Sequence, residues 1–219
     1  MSAPSLDAGR LDAIRRGAEQ PVAATTLTLN AAADDLAAAF VEDPLFCWFM
    51  RDDGKRTAAR QRFFRVILRE AAFPDGTIER PEAGGAAAVW IPSESLGPQP
   101  LRRELRALPM LLNATGLGRF GRMMKLRDAM DGNHSMERAH DYLWFLGVHP
   151  EAQGAGVGSR LLASKTARLD AARRPAFLET ATPRNVPLYA RHGFETVAEY
   201  TPAPGAPLVW AMWREPRAG

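Results

Sequence analysis

The sequence predicts an α/β protein built on a single mixed sheet of about seven strands flanked by helices. An apolar strand, a glycine-rich turn and a helix follow one another over residues 141–162, which is the layout of a crossover between parallel strands. Short β-branched or apolar runs alternate with amphipathic stretches in the first half of the chain. The last two apolar runs are joined only by a proline-rich loop, which predicts an antiparallel end to the sheet.

Each element is predicted from its periodicity and from the glycines, prolines and capping residues around it. Asn30 is expected to cap the second helix, residues 44–50 are expected to form an aromatic loop, and Gly116 is expected to separate two helices of an insertion at about 93–139. Residues 1–21 are expected to be an N-terminal arm or extra helix, and 22–219 a single domain. Strands are expected at 22–29, 77–79, 86–91, 142–148, 176–182, 195–200 and 208–213, and helices at 6–16, 31–41, 55–73, 101–112, 117–130, 157–169 and 187–193.

Composition is typical of a globular chain with a sizeable core. The 219 residues, 46% hydrophobic and 24% charged, fit one domain with an insertion. The net charge of +3 is small and no Lys/Arg run is dense, so nucleic acid is not an expected partner. Neither a run of ~18 apolar residues nor a secretory signal is present, so we expect no membrane span and a cytoplasmic location. The single cysteine, Cys47, excludes an internal disulfide and a cysteine-rich metal site, and we expect no metal.

The glycine turn at 153–158 is typical of a phosphate-binding loop. It lies between a strand and a helix, where unpaired N–H groups and the helix dipole favour an anion. A Walker A loop is excluded because Gly158 is followed by Ser159 without a lysine. A dinucleotide fingerprint starting at Gly154 and Gly156 has Ser159 in its third place, but Glu179 lies about 20 residues on and keeps that interpretation open. A glycine-rich turn without a ligand is the remaining alternative.

A second motif makes one interpretation of the turn more specific. The turn reads Gln153-x-x-Gly156-x-Gly158, and about 30 residues later the chain reads Asn185-x-x-x-Tyr189-x-x-x-Gly-Phe. Together, and in this order, the two motifs resemble the acetyl-CoA site of the GCN5-related N-acetyltransferase (GNAT) superfamily.

Within that superfamily the chain is similar to the puromycin N-acetyltransferases. The shared features are Ala-Ala-Ala-Phe followed by an acidic residue and Pro44, then Val89-Trp90 ahead of Pro92, and the segment 175–180. The likeness runs from about Val22 to the end and is weakest in the insertion. The insertion and residues 141–144 depart from the pattern, and we expect acceptor specificity there.

The resemblance implies a fold in which the fourth and fifth strands splay apart and the pantetheine arm of acetyl-CoA fills the gap. Gly147 suits such a place, since a strand glycine often marks a bulge or a close backbone approach. The expected coenzyme A contacts are Leu146, Val148, Gln153, Gly154, Ala155, Gly156, Val157, Gly158, Ser159, Asn185 and Tyr189.

The resemblance also makes Tyr189 the candidate general acid for the leaving thiolate. Glu179 is the candidate general base, because a carboxylate in an apolar strand is costly to bury unless it has a partner; His140 and Asp141 are second choices. The expected acceptor-binding residues are Asp43, Phe46, Trp48, His140, Trp144 and Glu179.

The expected function is acetyl-CoA-dependent N-acetylation of a primary amine on a small molecule, such as an aminonucleoside antibiotic like puromycin or a related amine. Two alternatives stay open: a non-catalytic acyl-CoA-binding module with the same fold, and an acetyltransferase acting on a protein or peptide. The sequence gives no oligomeric state and leaves a homodimer open.

Overall fold

The computed structural model describes residues 7–97, 101–134 and 138–217. In that part of the chain, seven strands form one sheet in the order β1-β2-β3-β4-β5-β7-β6, which confirms the predicted α/β class and the mixed sheet. The strands are β1 (Val22–Ala23), β2 (Thr77–Arg80), β3 (Ala86–Pro92), β4 (Asp141–Val148), β5 (Ala176–Thr180), β6 (Glu195–Tyr200) and β7 (Val209–Arg214). The α-helices are α1 (Ala8–Glu19), α2 (Leu29–Ala39), α3 (Pro44–Phe49), α4 (Arg56–Ile67), α5 (Phe73–Asp75), α6 (Leu101–Asn133), α7 (Val157–Ala171) and α8 (Val186–Arg191).

The strands β4 and β5 are parallel and pair over only three residues. Their register ends at Leu143 opposite Leu178, and the rest of β4 has no partner on that side. The pairing of β4 with β3 shifts by one residue at the same point, because Val89 lies opposite Phe145 while Trp90 lies opposite Leu143. Trp144 is therefore the extra residue of a β-bulge, which bends β4 away from β5.

Helices cover both faces of the sheet. On one face, α1 and α7 pack through residues such as Ile14, Leu161 and Leu162. On the other, α2, α3, α4 and α6 bury a second core that includes Leu36 and Phe64. The strand glycine Gly147 faces this second core. A Cβ there would lie 2.8 Å from both the Ala39 Cβ and the Leu36 Cδ2, so the glycine lets α2 approach the sheet closely.

Two predicted elements near the N-terminus were wrong. The strand expected at 22–29 is limited to Val22–Ala23, because Thr25 and Thr28 form a turn in which the Thr28 N–H donates to the Thr25 carbonyl at 3.1 Å. The next helix consequently begins at Leu29, and Asn30 lies inside its first turn instead of capping it.

The aromatic segment 44–50 is the short helix α3 and not a loop. Asp43 caps it, its side chain accepting the Phe46 N–H at 3.1 Å, and Pro44 occupies the first turn. An N-cap aspartate followed by proline is a helix start signal, which the aromatic composition obscured.

The first helix, predicted at 6–16, extends over Ala8–Glu19, and two helices separated at Gly116 were predicted after β3. Helix α1 is packed against α7 through the buried Ile14 and Ala18. Gly116, with φ 62° and ψ 170°, breaks α6 into two helices as expected. The predicted start of the first helix at residue 6, and residues 98–100 and 135–137 of the insertion, lie outside the described residues. In the part of the chain that is described, no helix combines the length and apolar character needed to cross a membrane.

Candidate active site

A cavity of about 470 Å³ opens where β4 and β5 part. Its walls come from the end of β4, from the glycine turn and the start of α7, from the segment that follows β5, and from the end of α2. The lining residues are Ala39, Phe40, Glu42, Asp43, Leu146, Gly147, Val148, Ala152, Gln153, Gly154, Gly156, Val157, Gly158, Ser159, Thr182, Arg184, Asn185, Leu188, Tyr189 and Arg191. Of the eleven residues expected to contact coenzyme A, only Ala155 is not in the lining.

The glycine turn presents free N–H groups to this cavity. The Arg160 N–H donates to the Gly156 carbonyl at 3.1 Å, so residues 157–159 precede the first intrahelical donor of α7. Gly154 and Gly156 have φ values of 75° and 76°, which glycine adopts without strain. A Cβ on either would meet no atom within 4 Å. Glycine is therefore favoured at these two positions by the backbone conformation, and not by a lack of space.

Gln153, the first residue of the motif, has a structural contact. Its side-chain Nε2 donates to the carbonyl of Val148 at 3.0 Å, which ties the turn to the last residue of β4. Residues 150–152 between them form a short 3-10 helix. The motif glutamine therefore holds the strand and the turn together while it also lines the cavity.

Tyr189 is buried at the wall formed by α8. The helix begins at Val186 with Pro187 in its first turn, and Gly193, with φ 87°, follows its end, as the sequence predicts for the glycine. Burial raises the pKa of Tyr189, and the negative charge of Asp43 raises it further. The phenol is therefore held in its protonated form and can donate its proton into the cavity.

Asp43 lines the same cavity as Tyr189. Its Oδ2 accepts a hydrogen bond from the Thr182 hydroxyl at 3.3 Å, and its Oδ1 caps α3. Burial raises the pKa of the Asp43 carboxyl, although these hydrogen bonds oppose the rise. The residue joins the loop after α2 to the segment after β5, and it places a carboxylate beside the phenol.

Glu179 lies on β5 but is not among the cavity-lining residues. Its carboxylate accepts hydrogen bonds from the hydroxyls of Tyr142, at 3.1 Å, and of Tyr200. Burial raises the pKa of Glu179 to about 7; the two hydrogen bonds lower it, and the nearby charge of Asp131 raises it. The pKa of Glu179, the predicted base, is thus suited to proton transfer near neutral pH. Glu179 lies three residues before Thr182, which is part of the cavity wall.

Most of the other expected acceptor-binding residues lie away from the cavity. Phe46 is buried among core rings and stacks on Phe64 with centroids 5.3 Å apart. Trp48 packs at the edge of the same core, under the Arg122 guanidinium. Trp144 is the bulge residue and stacks on Phe145. None of the three lines the cavity, so their positions give no support to an acceptor contact there.

The second-choice bases, His140 and Asp141, lie at the opposite end of β4 from the glycine turn. His140 is six residues before Leu146, about 20 Å along an extended strand. It is fully buried, and its Nε2 lies 2.7 Å from the Nε2 of His134. Asp141 pairs with Lys165 at 2.7 Å and with Arg174. Both residues are therefore engaged in structural contacts and are not brought to the cavity.

Several cavity residues were missed by the sequence analysis. Thr182, Arg184, Leu188 and Arg191 line the wall after β5, and Glu42 lies on the opposite side. A helical spacing was the available signal: Leu188 lies three residues after Asn185, and Arg184 and Arg191 lie four residues before and three residues after Leu188. Among the described residues, no group of three or more His, Cys, Asp and Glu side chains is arranged to hold a metal ion.

Residues 124–196 match the family model described as Acetyltransferase (GNAT) domain. The matched segment starts in the second half of α6 and ends at the start of β6. It includes β4, the glycine turn, α7, β5 and α8, which are the elements that form most of the cavity wall.

Three solved structures with similar folds are named as acetyltransferases. A structure described as histone acetyltransferase HPA2 and related acetyltransferase, from Corynebacterium glutamicum, has a TM-score of 0.65 and 22% identity and covers 91% of this chain and 97% of that one. Arylalkylamine N-acetyltransferase 2 from Aedes aegypti has a TM-score of 0.60 and 12% identity, covering 90% and 98%. Polyamine N-acetyltransferase from Drosophila melanogaster has a TM-score of 0.54 and 18% identity, covering 96% and 97%. The chain thus has the fold of the GNAT acetyltransferases, with the GNAT domain model matching the segment that builds its cavity.

Proposed function

We propose that this protein is an N-acetyltransferase that uses acetyl-CoA to acetylate a primary amine of a small molecule. The observation that carries the proposal is one cavity, between parted strands, shared by the amides of the glycine turn and a buried protonated tyrosine. The GNAT domain match supports the reaction class. Two structures of similar fold are named for arylalkylamine and polyamine acetylation, which supports a small amine as acceptor.

The residues of the cavity fit a coenzyme A thioester. The N–H groups of residues 157–159 and the positive end of the 15-residue helix α7 suit a diphosphate. The β4 residues after Leu143 have no β5 partner, so the backbone at Leu146 and Val148 is available to an amide-containing arm. When bound, the thioester supplies the activated acetyl group.

The residues around the thioester position would act on its carbonyl and its leaving group. Backbone N–H groups near Leu146 and Val148 stabilise negative charge on the carbonyl oxygen, an effect worth about 2.7–4 kcal/mol per donor in other enzymes. Tyr189 holds the proton that the leaving thiolate takes up, because burial and the Asp43 charge keep its phenol protonated.

Two carboxyl groups would serve the amine. Asp43, inside the cavity, binds the ammonium form of the acceptor. Glu179, with its pKa raised to about 7, accepts a proton through water, since it lies outside the cavity lining and hence beyond direct contact with the reacting atoms. The pH dependence of the reaction distinguishes these roles: Glu179→Gln removes a rate dependence centred near pH 7, whereas Asp43→Asn chiefly raises KM for the amine.

The attachment of helix α6 to α3, the segment that follows Asp43 of the cavity wall, supports a small acceptor. The Arg119 Nη1 donates to the carbonyls of Cys47, at 3.1 Å, and Met50, at 2.7 Å, while the Arg122 Nη1 donates to the Trp48 carbonyl at 2.9 Å. These contacts fix the second half of α6 to the segment that follows Asp43. An aminonucleoside such as puromycin, or a related amine, is the acceptor class proposed.

A thiol-release assay with acetyl-CoA and a panel of aminonucleosides, arylalkylamines, polyamines, aminoglycosides and peptides tests the proposal. Turnover with a small amine supports it, and turnover with peptides alone supports a protein acetyltransferase instead. Acetyl-CoA binding without turnover on any amine supports a non-catalytic acyl-CoA-binding module.

The role of Tyr189 is tested by Tyr189→Phe with the best amine of that panel. Loss of the proton donor should lower kcat about 100-fold, while the calorimetric Kd for acetyl-CoA changes little because the glycine turn is intact. The melting temperature of the variant serves as the control for folding. An unchanged kcat would remove the acid role from Tyr189.

A further inference from the structure

Two arginines on the cavity wall have no acidic partner in the described part of the chain. Arg184 follows β5 and Arg191 ends α8; both side chains are exposed and both line the cavity. Neither is in an ion pair with a described residue, in contrast to Arg168, Arg174 and Arg214, which all bind carboxylates. The wall after β5 therefore presents two free positive charges at the mouth of the cavity.

These charges are additional to the anion site of the glycine turn. The Ser159 hydroxyl lies 2.8 Å from the His192 Nε2, which holds the end of α8 against the first turn of α7. Arg191 is the neighbour of His192 in α8. It therefore lies close to the glycine turn, in the part of the cavity wall that α8 forms. The turn amides supply enough donors for a diphosphate, so the arginines are available for another anionic group of the same ligand.

We propose that Arg184 and Arg191 bind the ribose 3′-phosphate of coenzyme A and thereby select it over a donor that lacks this phosphate. The inference rests on the proposed function, which supplies the ligand. Exposed guanidinium groups suit a phosphate at the mouth of a cavity, because they can form paired hydrogen bonds with its oxygens and remain hydrated. Glu42, exposed in the part of the lining that follows α2, disfavours a phosphate next to it and so favours the arginine wall.

The test is isothermal titration calorimetry with coenzyme A and with 3′-dephospho-coenzyme A. The wild-type protein should bind coenzyme A about tenfold more tightly, as expected for about 1.4 kcal/mol from charged hydrogen bonds at a solvent-exposed site. The variant with both Arg184→Gln and Arg191→Gln should lose this preference, its affinity for coenzyme A falling to that for the dephospho form. Added salt should reduce the wild-type preference, because the contacts are exposed.

Two controls separate this inference from simpler explanations. Arg62→Gln removes an exposed arginine on α4, outside the cavity lining, and should keep the tenfold preference. If the double variant weakens both ligands by the same factor, the arginines act on the diphosphate and the proposal is overturned. Equal wild-type affinities for the two ligands also overturn it while leaving the proposed function intact, whereas no binding of either ligand refutes the proposed function itself.

Discussion

Replacing Glu179 by glutamine should remove a loss of stability that the wild-type protein shows as pH rises. Burial between Tyr142 and Tyr200 raises the pKa of Glu179 from 4.5 to about 7. Between these values the folded protein holds a proton that the unfolded chain has released. The free energy of unfolding therefore falls with rising pH across this window, and the full cost is present above pH 7.

The size of this effect follows from the two pKa values. A rise from 4.5 to about 7 corresponds to about 3 kcal/mol. Glu179 is partly exposed, so solvent screens the charge and the expected effect is about 2 kcal/mol. Glutamine has nearly the same shape and keeps an oxygen that accepts a tyrosine hydroxyl, which limits other changes in packing.

Urea unfolding of the two proteins at pH 5, 6, 7 and 8 measures the difference. The stability of Glu179→Gln relative to wild type should rise by about 2 kcal/mol from pH 5 to pH 8. Glu199→Gln, at an exposed position on β6, controls for the loss of one carboxylate. Parallel wild-type and Glu179→Gln curves would refute the reasoning, and an equal rise in Glu199→Gln would assign the effect to net charge.

Two further changes test the packing of the fold. Gly147→Val should lower the free energy of unfolding by about 2 kcal/mol, because its Cβ would lie 2.8 Å from atoms of Leu36 and Ala39; an unchanged melting temperature would contradict this close approach. His134→Gln should reduce the loss of stability on acidification, since burial and the neighbouring His140 lower the pKa of His134 from 6.5 to about 4. Below pH 6.5 the unfolded chain binds a proton at this histidine while the folded protein keeps it neutral, so stability should fall by about 2 kcal/mol at pH 5, or about 1 kcal/mol once solvent screening of this partly exposed side chain is included. An equal loss in the variant by urea unfolding would count against it.

The sequence predicts the organisation of the sheet and the location of the cavity because their signals are local. The apolar run before Pro150, the glycines of the turn and the proline and glycine around α8 each determine the backbone within a few residues. The strand predicted at 22–29 was wrong because its signal was also local. β-Branched Thr25 and Thr28 favour a strand, yet their hydroxyls equally stabilise a turn.

The environment of Glu179 could not be predicted, since its hydrogen-bond partners are far away in the sequence. Tyr142 comes from a parallel neighbour strand and Tyr200 from the edge strand β6, which joins β5 only through β7. No local pattern specifies which tyrosines meet which carboxylate across a sheet. The same holds for Asp43 and Thr182, which are 139 residues apart and meet only because α2 packs against β4.

Under the proposed function, the close approach of α2 at Gly147 has a consequence for the acyl group of the donor. Ala39 and Phe40, at the end of this core helix, are part of the cavity wall, so the width of the cavity at this wall is determined by the packed interior and not by a loop. Enlarging that room for a longer acyl chain would require repacking the interior, at the expense of folding stability. The length of acyl chain accepted in the proposed reaction and the thermal stability of the protein are therefore coupled.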